Sequence, residues 1–582
     1  MIPGAWLKNS VCEFNLWAPL KKSAELLILR GDSRASYSMK KQGEYFTISI
    51  DGIAAGERYM YSAEGGEPRP DPASHSQPDG VHGASAVVCH SSFKWTDAGR
   101  RGINMKDMII YEMHTGVFTE AGTFESAVSE LHRLKSIGIN TIEIMPVAQF
   151  PGKRNWGYDG AYLFAPQESY GGAEGLKKFV NACHKEGFSV ILDVVYNHLG
   201  PEGNYSGVFG PYYTDRYRTP WGSAMNFDGP YSDGVRDFVI SNALYWLEHY
   251  HIDGLRLDAV HAIFDFSAKH ILAEIKERAS ALSKKTKRKY LIIAESDLND
   301  PKLVRDEKTG GYGLDAQWAD DLHHSLHAFL TGERDGYYGD FGGIENIYKS
   351  LITPFVADGG YSAYRKRKHG AAARGSSGEK FVVFSQNHDQ TGNRFAGERL
   401  IAIAGEEAAK LAAAFVILSP YVPMLFMGEE YGERSPFLYF VDHGDPGLVE
   451  AVREGRRREF EGFMGGAKPP DPASEKTFSG CVLRPEKYGA GMADYYAKLI
   501  DIRKKYAGCG ARYRFSRKSM IITALMKKGK KEAVCFFNFG REPGAAALPA
   551  GSWASLLPVA GEKNKKILLP PLGAAVYIKG KR

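Results

Sequence analysis

Four stretches of this 582-residue chain end in side chains that can move protons or hold charge. Asp193, Asn197 and His198 close the run FSVILDVVYNH, Arg256 and Asp258 close IDGLRLDAV, Glu295 follows YLIIA, and His388 and Asp389 follow FVVFSQN. Cleaving a glycosidic bond with retention needs two carboxyl groups about 5–5.5 Å apart, one to attack carbon and one to supply a proton. Neighbouring histidines and an arginine would hold sugar hydroxyls and developing charge. Metal ligation fits less well, because no pair in the set has HxxxH or similar ligand spacing. The segment after Asn197 offers no carboxylate cage for calcium, so no metal and no organic cofactor is expected. Taken singly, an Asp at a strand end caps a helix or shapes a loop, and a histidine can be a satisfied core residue. Only convergence in space separates the two readings.

Convergence requires a scaffold. From about residue 105 the chain alternates apolar runs with helical stretches. The runs are MIIYEMHTGVF, INTIEIMPV, FSVILDVVYNH, IDGLRLDAV, YLIIAESD, GLDAQWADD, FVVFSQNHD and VPMLFMGEEYG. Each is apolar and ends in polar or charged residues, as parallel strands buried on both faces should. Between them, Thr123 is a candidate N-cap for a helix carrying Phe124, Val128 and Leu131. Val239, Ala243, Trp246, Leu247 and Tyr250 form another apolar stripe. The pattern predicts a (β/α)8 TIM barrel, whose C-terminal strand ends build the active site. Short alternating runs before it (CEFNLWAP, AELLILRG, YFTISIDG) and after it (SMIITALM, AVCFFNFG) predict a β-sandwich at each end. The expected domains are 1–90, 91–485 and 486–582, with the proline-rich Glu67–Gly80 segment as an extended linker.

Bulk properties narrow the field. With no run of eighteen apolar residues, a membrane partner is excluded. A net charge of +6 is small for this length. The basic clusters Lys284–Lys289, Arg365–Lys368 and Arg456–Arg458 lie far apart without a stacking motif, so they read as solvated helix ends and loops and no nucleic-acid partner is expected. The N-terminus lacks an apolar run of signal-peptide length, which predicts a cytoplasmic protein. Six scattered cysteines (Cys12, Cys89, Cys183, Cys481, Cys509, Cys535) predict reduced thiols.

DVVYNH, GLRLDAV, AESD and QNHDQ resemble the four signature regions of the α-amylase-type glycoside hydrolases, in the family's order. The resemblance implies Asp258 as nucleophile, Glu295 as general acid/base and Asp389 as the carboxylate that grips the distorted sugar. It implies that Arg256 orients Asp258, that His198 and His388 bind hydroxyls, and that Tyr158 in NWGYDG is the aromatic platform beneath the sugar. RPDPASHSQPDGVHG, PVAQFPGKRNWGYDG, AESDLNDP, QNHDQTGNR and GEEYGERSPFLYFVDH are similar to the members that release trehalose from a maltooligosyl-trehalose substrate. Gln149 departs from that pattern, where an acidic residue is common. The competing expectations are a glycogen branching enzyme, which shares the N-terminal sandwich and WGY, and a non-catalytic glucan-binding protein, which would lack a catalytic carboxylate. SPFLYFVDH, with Asp442, is the candidate for selecting trehalose.

Overall fold

A computed structural model of the chain describes residues 1–460, 468–507, 511–557, 561–563 and 566–580. At its centre is a closed parallel barrel. Its eight strands, in order, are Ile110–Met113, Thr141–Ile144, Ser189–Val194, Gly254–Leu257, Leu291–Ala294, Ala316–Trp318, Phe381–Val383 and Val422–Phe426. Each pairs with the next and the last with the first. All eight lie within the predicted runs, and every residue in them is buried. The run from Met108 to Phe118 divides: the strand stops at Met113 and Thr115–Phe118 is a helical turn. His114 makes the break, its Nε2 bonded to the carbonyl of Asn155 at 2.8 Å across the strand ends.

The helices that close the barrel follow local rules. Thr123 caps Phe124–Val128, its hydroxyl accepting from Ser126 N at 3.2 Å in a reciprocal capping box. Ser232–His249 buries Val239, Ala243, Trp246 and Leu247 against the barrel.

Two four-stranded antiparallel sheets precede the barrel. They enclose a small separate core that includes Phe14, Leu26, Phe46 and Tyr59. The Glu67–Gly80 segment has little regular structure but is enclosed rather than solvated. Asp71, Ser74, His75 and Gln77 are all buried, and Asp71 accepts hydrogen bonds from Tyr59 Oη and Ala73 N at 2.8 Å each. Its prolines fix extended backbone, and its short polar side chains bind the main chain that water would otherwise solvate.

After the barrel, helix Gly491–Tyr506 packs on the barrel helices Leu131–Ile137 and Glu406–Ile417. A five-stranded and a three-stranded antiparallel sheet follow, with Val534, Phe536, Ile567 and Tyr577 between them. Among the described residues the cysteines are all free thiols; Cys509 lies outside them. No helix among the described residues is long and apolar enough to cross a membrane.

Candidate active site

The ends of the barrel strands bring the expected residues together around one guanidinium. Arg256, on the fourth strand, is fully buried, with its guanidinium carbon 4.2 Å from the Trp318 ring centroid on the sixth. One of its terminal nitrogens donates to Asp193 Oδ2 at 2.7 Å and to Asp258 Oδ1 at 2.8 Å. The other lies 3.7 Å from Glu295 Oε2. A single cation therefore spans carboxylates from the third, fourth and fifth strands. The second oxygen of Asp258 accepts from Asn197 Nδ2 at 2.9 Å, which fixes the carboxylate plane.

Backbone geometry adds to this. Ala259, directly after Asp258, sits in the left-handed region at φ 40°, which costs a residue with a Cβ about 1–2 kcal/mol. In that conformation its N–H donates to Glu295 Oε2 at 2.6 Å. The strain thus ties the fourth strand end to the fifth. Burial, reinforced by Asp258 and Asp389 against the pull of Arg256, raises Glu295 above the ordinary glutamate range. Burial also pushes Asp193 up to about 7, again opposed by Arg256.

His388 lies between two acids. Its Nδ1 is 2.6 Å from Glu112 Oε1, and its Nε2 is 3.4 Å from Asp389 Oδ2. Burial alone would pull its pKa down, but the two carboxylates outweigh it and hold the imidazole charged, well above the usual histidine value. In return, the His388 cation outweighs burial and keeps Asp389 at about 2. Tyr158 stacks on His388 at 5.2 Å; its hydroxyl donates to Asp193 at 2.8 Å and meets His388 Nε2 at 2.7 Å. His198 bonds to Asn197 Oδ1 and to the Tyr158 carbonyl, and stacks on the exposed Trp221 ring at 4.9 Å. Burial lowers its pKa, against the opposing pull of Asp258 and Asp159.

Asp193, Asn197, His198, Arg256, Asp258, Glu295, His388 and Asp389 are therefore brought together at the strand ends, with Tyr158 beside them. Others were missed. Glu112 and Glu143 are buried carboxyls in the first and second strands, each flanked by apolar residues in sequence. A charged residue in the middle of a fully buried run was the available signal. Asp320, just after the sixth strand, has one enclosed carboxyl oxygen with no hydrogen-bond partner among the described residues. Burial, with Glu295 and Asp389 adding, raises Asp320 well above the usual range. The basic cluster at Arg365–Lys368 is not simply a solvated loop, because Arg365 pairs with Asp297 beside Glu295 at 3.3 Å. The SPFLYFVDH segment is mostly packing: Phe437 stacks on Trp156 at 5.1 Å, and Asp442 accepts from Lys153 N at 2.8 Å and pairs with Arg154. Gln149 is satisfied locally, accepting from Glu168 N and donating to the Phe150 carbonyl. Among the described residues no group of three or more His, Cys, Asp or Glu is arranged to hold a metal ion.

A closed parallel barrel with carboxylates gathered at its strand ends defines the class: an α-amylase-type glycoside hydrolase. The model of the α-amylase catalytic domain matches residues 87–210. The chain is 51% identical over 494 residues to the malto-oligosyltrehalose trehalohydrolase of Saccharolobus solfataricus, covering 85% of each protein. It is 43% identical to that of Arthrobacter ramosus, over 84% of this chain and 87% of that one. A crystal structure from Salmonella typhimurium, designated a candidate α-amylase, superposes with a TM-score of 0.90 at 35% identity, covering 99% of both chains. The chain belongs to the malto-oligosyltrehalose trehalohydrolase family. A branching enzyme from Pseudoalteromonas atlantica is more distant, 28% identical over 74% of this chain and 60% of its own length.

Proposed function

We propose that this protein hydrolyses the α-1,4-glucosidic bond next to the terminal trehalose of maltooligosyl-trehalose, releasing free trehalose with retention at the cleaved centre. The observation that carries the catalytic part is Arg256, one buried cation in reach of both Asp258 and Glu295.

Glu295, raised by burial, starts protonated and gives its proton to the glycosidic oxygen as the bond to the anomeric carbon breaks. Asp258, held by Arg256 and Asn197, attacks that carbon from the opposite face and forms a glycosyl ester. Trehalose leaves with the transferred proton. Glu295, now a carboxylate, takes a proton from water, the hydroxide adds to the same carbon, and Asp258 is freed. Asp389 and charged His388 bind the hydroxyls of the distorted sugar, while Tyr158 and His198 flank it. Each group acts from a position its neighbours already fix, so little reorganisation is needed at the transition state.

Relatives named for the trehalose-releasing reaction, matched over most of the chain, support the substrate. All three proposed catalytic carboxylates are present and converge, which is not the pattern of a non-catalytic binding protein. The free thiols among the described residues are consistent with a reducing, cytoplasmic location. We keep 1–90, 91–485 and 486–582 as the proposed domain limits.

The test is a comparison of substrates. Maltotriosyl-trehalose should yield trehalose and maltotriose much faster than maltopentaose or amylose is cut. Formation of α-1,6 branches on amylose, or equal cleavage of plain malto-oligosaccharides, would refute the trehalose assignment and leave the catalytic one standing.

A further inference from the structure

The end of the barrel opposite the catalytic carboxylates holds a cavity of about 610 Å³. It lies at the N-terminal ends of the strands, where the barrel meets the C-terminal sheets. On the barrel side stand Lys106 and Asp107, before the first strand, and Glu379, before the seventh. On the other side stand Lys504, near the end of helix Gly491–Tyr506, and Lys527 and Lys528, at the turn joining strands Ile521–Lys528 and Lys531–Asn538. Arg503 also lines the cavity, but its guanidinium is occupied by the carbonyls of Ile417 and Ser419, at 2.7 and 2.9 Å, and of Tyr421.

The two sides differ in charge. The barrel contributes two acids and one lysine, whereas the C-terminal module contributes three lysines and no acid. Those three lysines are held in place without being neutralised. Lys504 Nζ donates to the Gly138 carbonyl at 2.6 Å, and Lys528 Nζ to the Lys504 carbonyl at 2.9 Å, so both are anchored on uncharged oxygens. Lys527 lies 3.8 Å from Glu532, a carboxylate that Lys579 already pairs with at 2.6 Å. An ammonium keeps further N–H donors beyond the one that a carbonyl uses. Burial lowers the pKa of Lys504 against the pull of Asp501, as expected of an ammonium that has lost water without gaining an anion.

We propose that this cavity binds a sugar phosphate, its phosphate on Lys504, Lys527 and Lys528 and its hydroxyls on Asp107 and Glu379. A phosphate is compact, carries close to two negative charges and accepts hydrogen bonds on every free oxygen, which suits a cluster of ammonium groups. A bare anion would leave the two acids of the barrel side facing it. A ligand with hydroxyls beyond its phosphate donates to those carboxylates instead. The volume also exceeds what a lone phosphate fills and lies in the range of small-molecule sites. A nucleobase has no platform there, because Tyr421, the aromatic residue of the lining, is only 3% exposed. The ligand would bridge the barrel and the C-terminal module and so stabilise the folded chain by mass action.

The probe is glucose 6-phosphate, titrated into the full chain by calorimetry at physiological salt. It should bind saturably and at least about tenfold more tightly than glucose or inorganic phosphate, each of which keeps only part of the contacts. Lys504→Gln and Lys527→Gln should each weaken that binding about tenfold, the loss of one hydrogen bond to a charged group. Lys527→Arg keeps the charge and should stay within about threefold of native. Lys527 is exposed at a turn, so its variants should melt with the native protein when no ligand is present. Absence of binding to the native chain, or equal binding by native and both Gln variants, would overturn the proposal. Inorganic phosphate or AMP binding as tightly as the sugar phosphate would show a general anion patch and would overturn it too.

Discussion

Two buried histidine clusters in this molecule show opposite chemistry. In the active site, His388 stands between Glu112 and Asp389 and is held charged. Where the N-terminal module meets the barrel, His75, His90 and His249 crowd with Trp6, Tyr245 and Tyr250 and have no carboxylate partner among them. Lys177, which packs over Phe93 and Tyr250, pulls all three down further, and Glu248 opposes it only at His249. There, burial holds His75 at about 3 and His249 at about 4, and takes His90 well below the usual value. Burial acts alike on both clusters. The partners decide the sign, so a buried histidine is informative only when read with what surrounds it.

The sharpest break in the comparison is removal of the reacting carboxyls themselves. Asp258→Asn and Glu295→Gln should each lower kcat by about 10⁴-fold or more with the fold intact, read by steady-state rates and circular dichroism. Near-normal activity in either would remove that residue from the mechanism.

Glu112→Gln is the next largest. It leaves His388 with one carboxylate, so the folded-state pKa of His388 must fall. A raised histidine contributes stability that is complete below its unfolded value near 6.5 and is lost as pH rises through the folded value. The variant should therefore lose most stability at and below neutral pH, the difference from native fading as pH rises through the folded value, and the alkaline limb of its rate profile should move to lower pH. We expect kcat/KM to drop by about 10–100-fold, the usual cost of losing a group that holds another in place. An unmoved alkaline limb would show that Glu112 does not control His388.

The neutral cluster predicts the reverse dependence. His75, His90 and His249 bind protons more readily unfolded than folded, so stability is present above about pH 6.5 and lost as pH falls toward 4. Each adds a slope of up to about 1.4 kcal/mol per pH unit in that window. Urea midpoints between pH 4 and 7 measure it, and His249→Gln should flatten the curve. A midpoint independent of pH in both native and variant proteins would contradict the account. Glu143→Gln should do least. Burial already keeps Glu143 far above the carboxylate range, with neither oxygen hydrogen-bonded among the described residues, so the amide replaces a neutral group of similar shape. Its stability should stay within about 1 kcal/mol of native.

The two clusters also mark how far the sequence could be read. The strands and their catalytic ends were legible because buried parallel strands read as continuous apolar runs, and a polar residue at the end of each stands out. Glu112 broke such a run in plain view, yet its role depends on His388, distant along the chain. The histidine cluster gave no local signal: His75 lies in a proline-rich stretch that reads as a linker, and only the fold buries it beside Trp6 and Tyr245. Asp320 was legible as a strand-end acid but not as one with an enclosed carboxyl oxygen that has no hydrogen-bond partner among the described residues.

The most direct test of the central claim is the first minute of the reaction with maltotriosyl-trehalose, followed by proton NMR. Trehalose should appear together with the α-anomer of maltotriose, which only later mutarotates to the mixture. The β-anomer appearing first would mean inversion and carboxyl groups too far apart for Asp258 to attack. Maltotriose or glucose formed without trehalose would mean that the bond next to the trehalose unit is not the one cleaved.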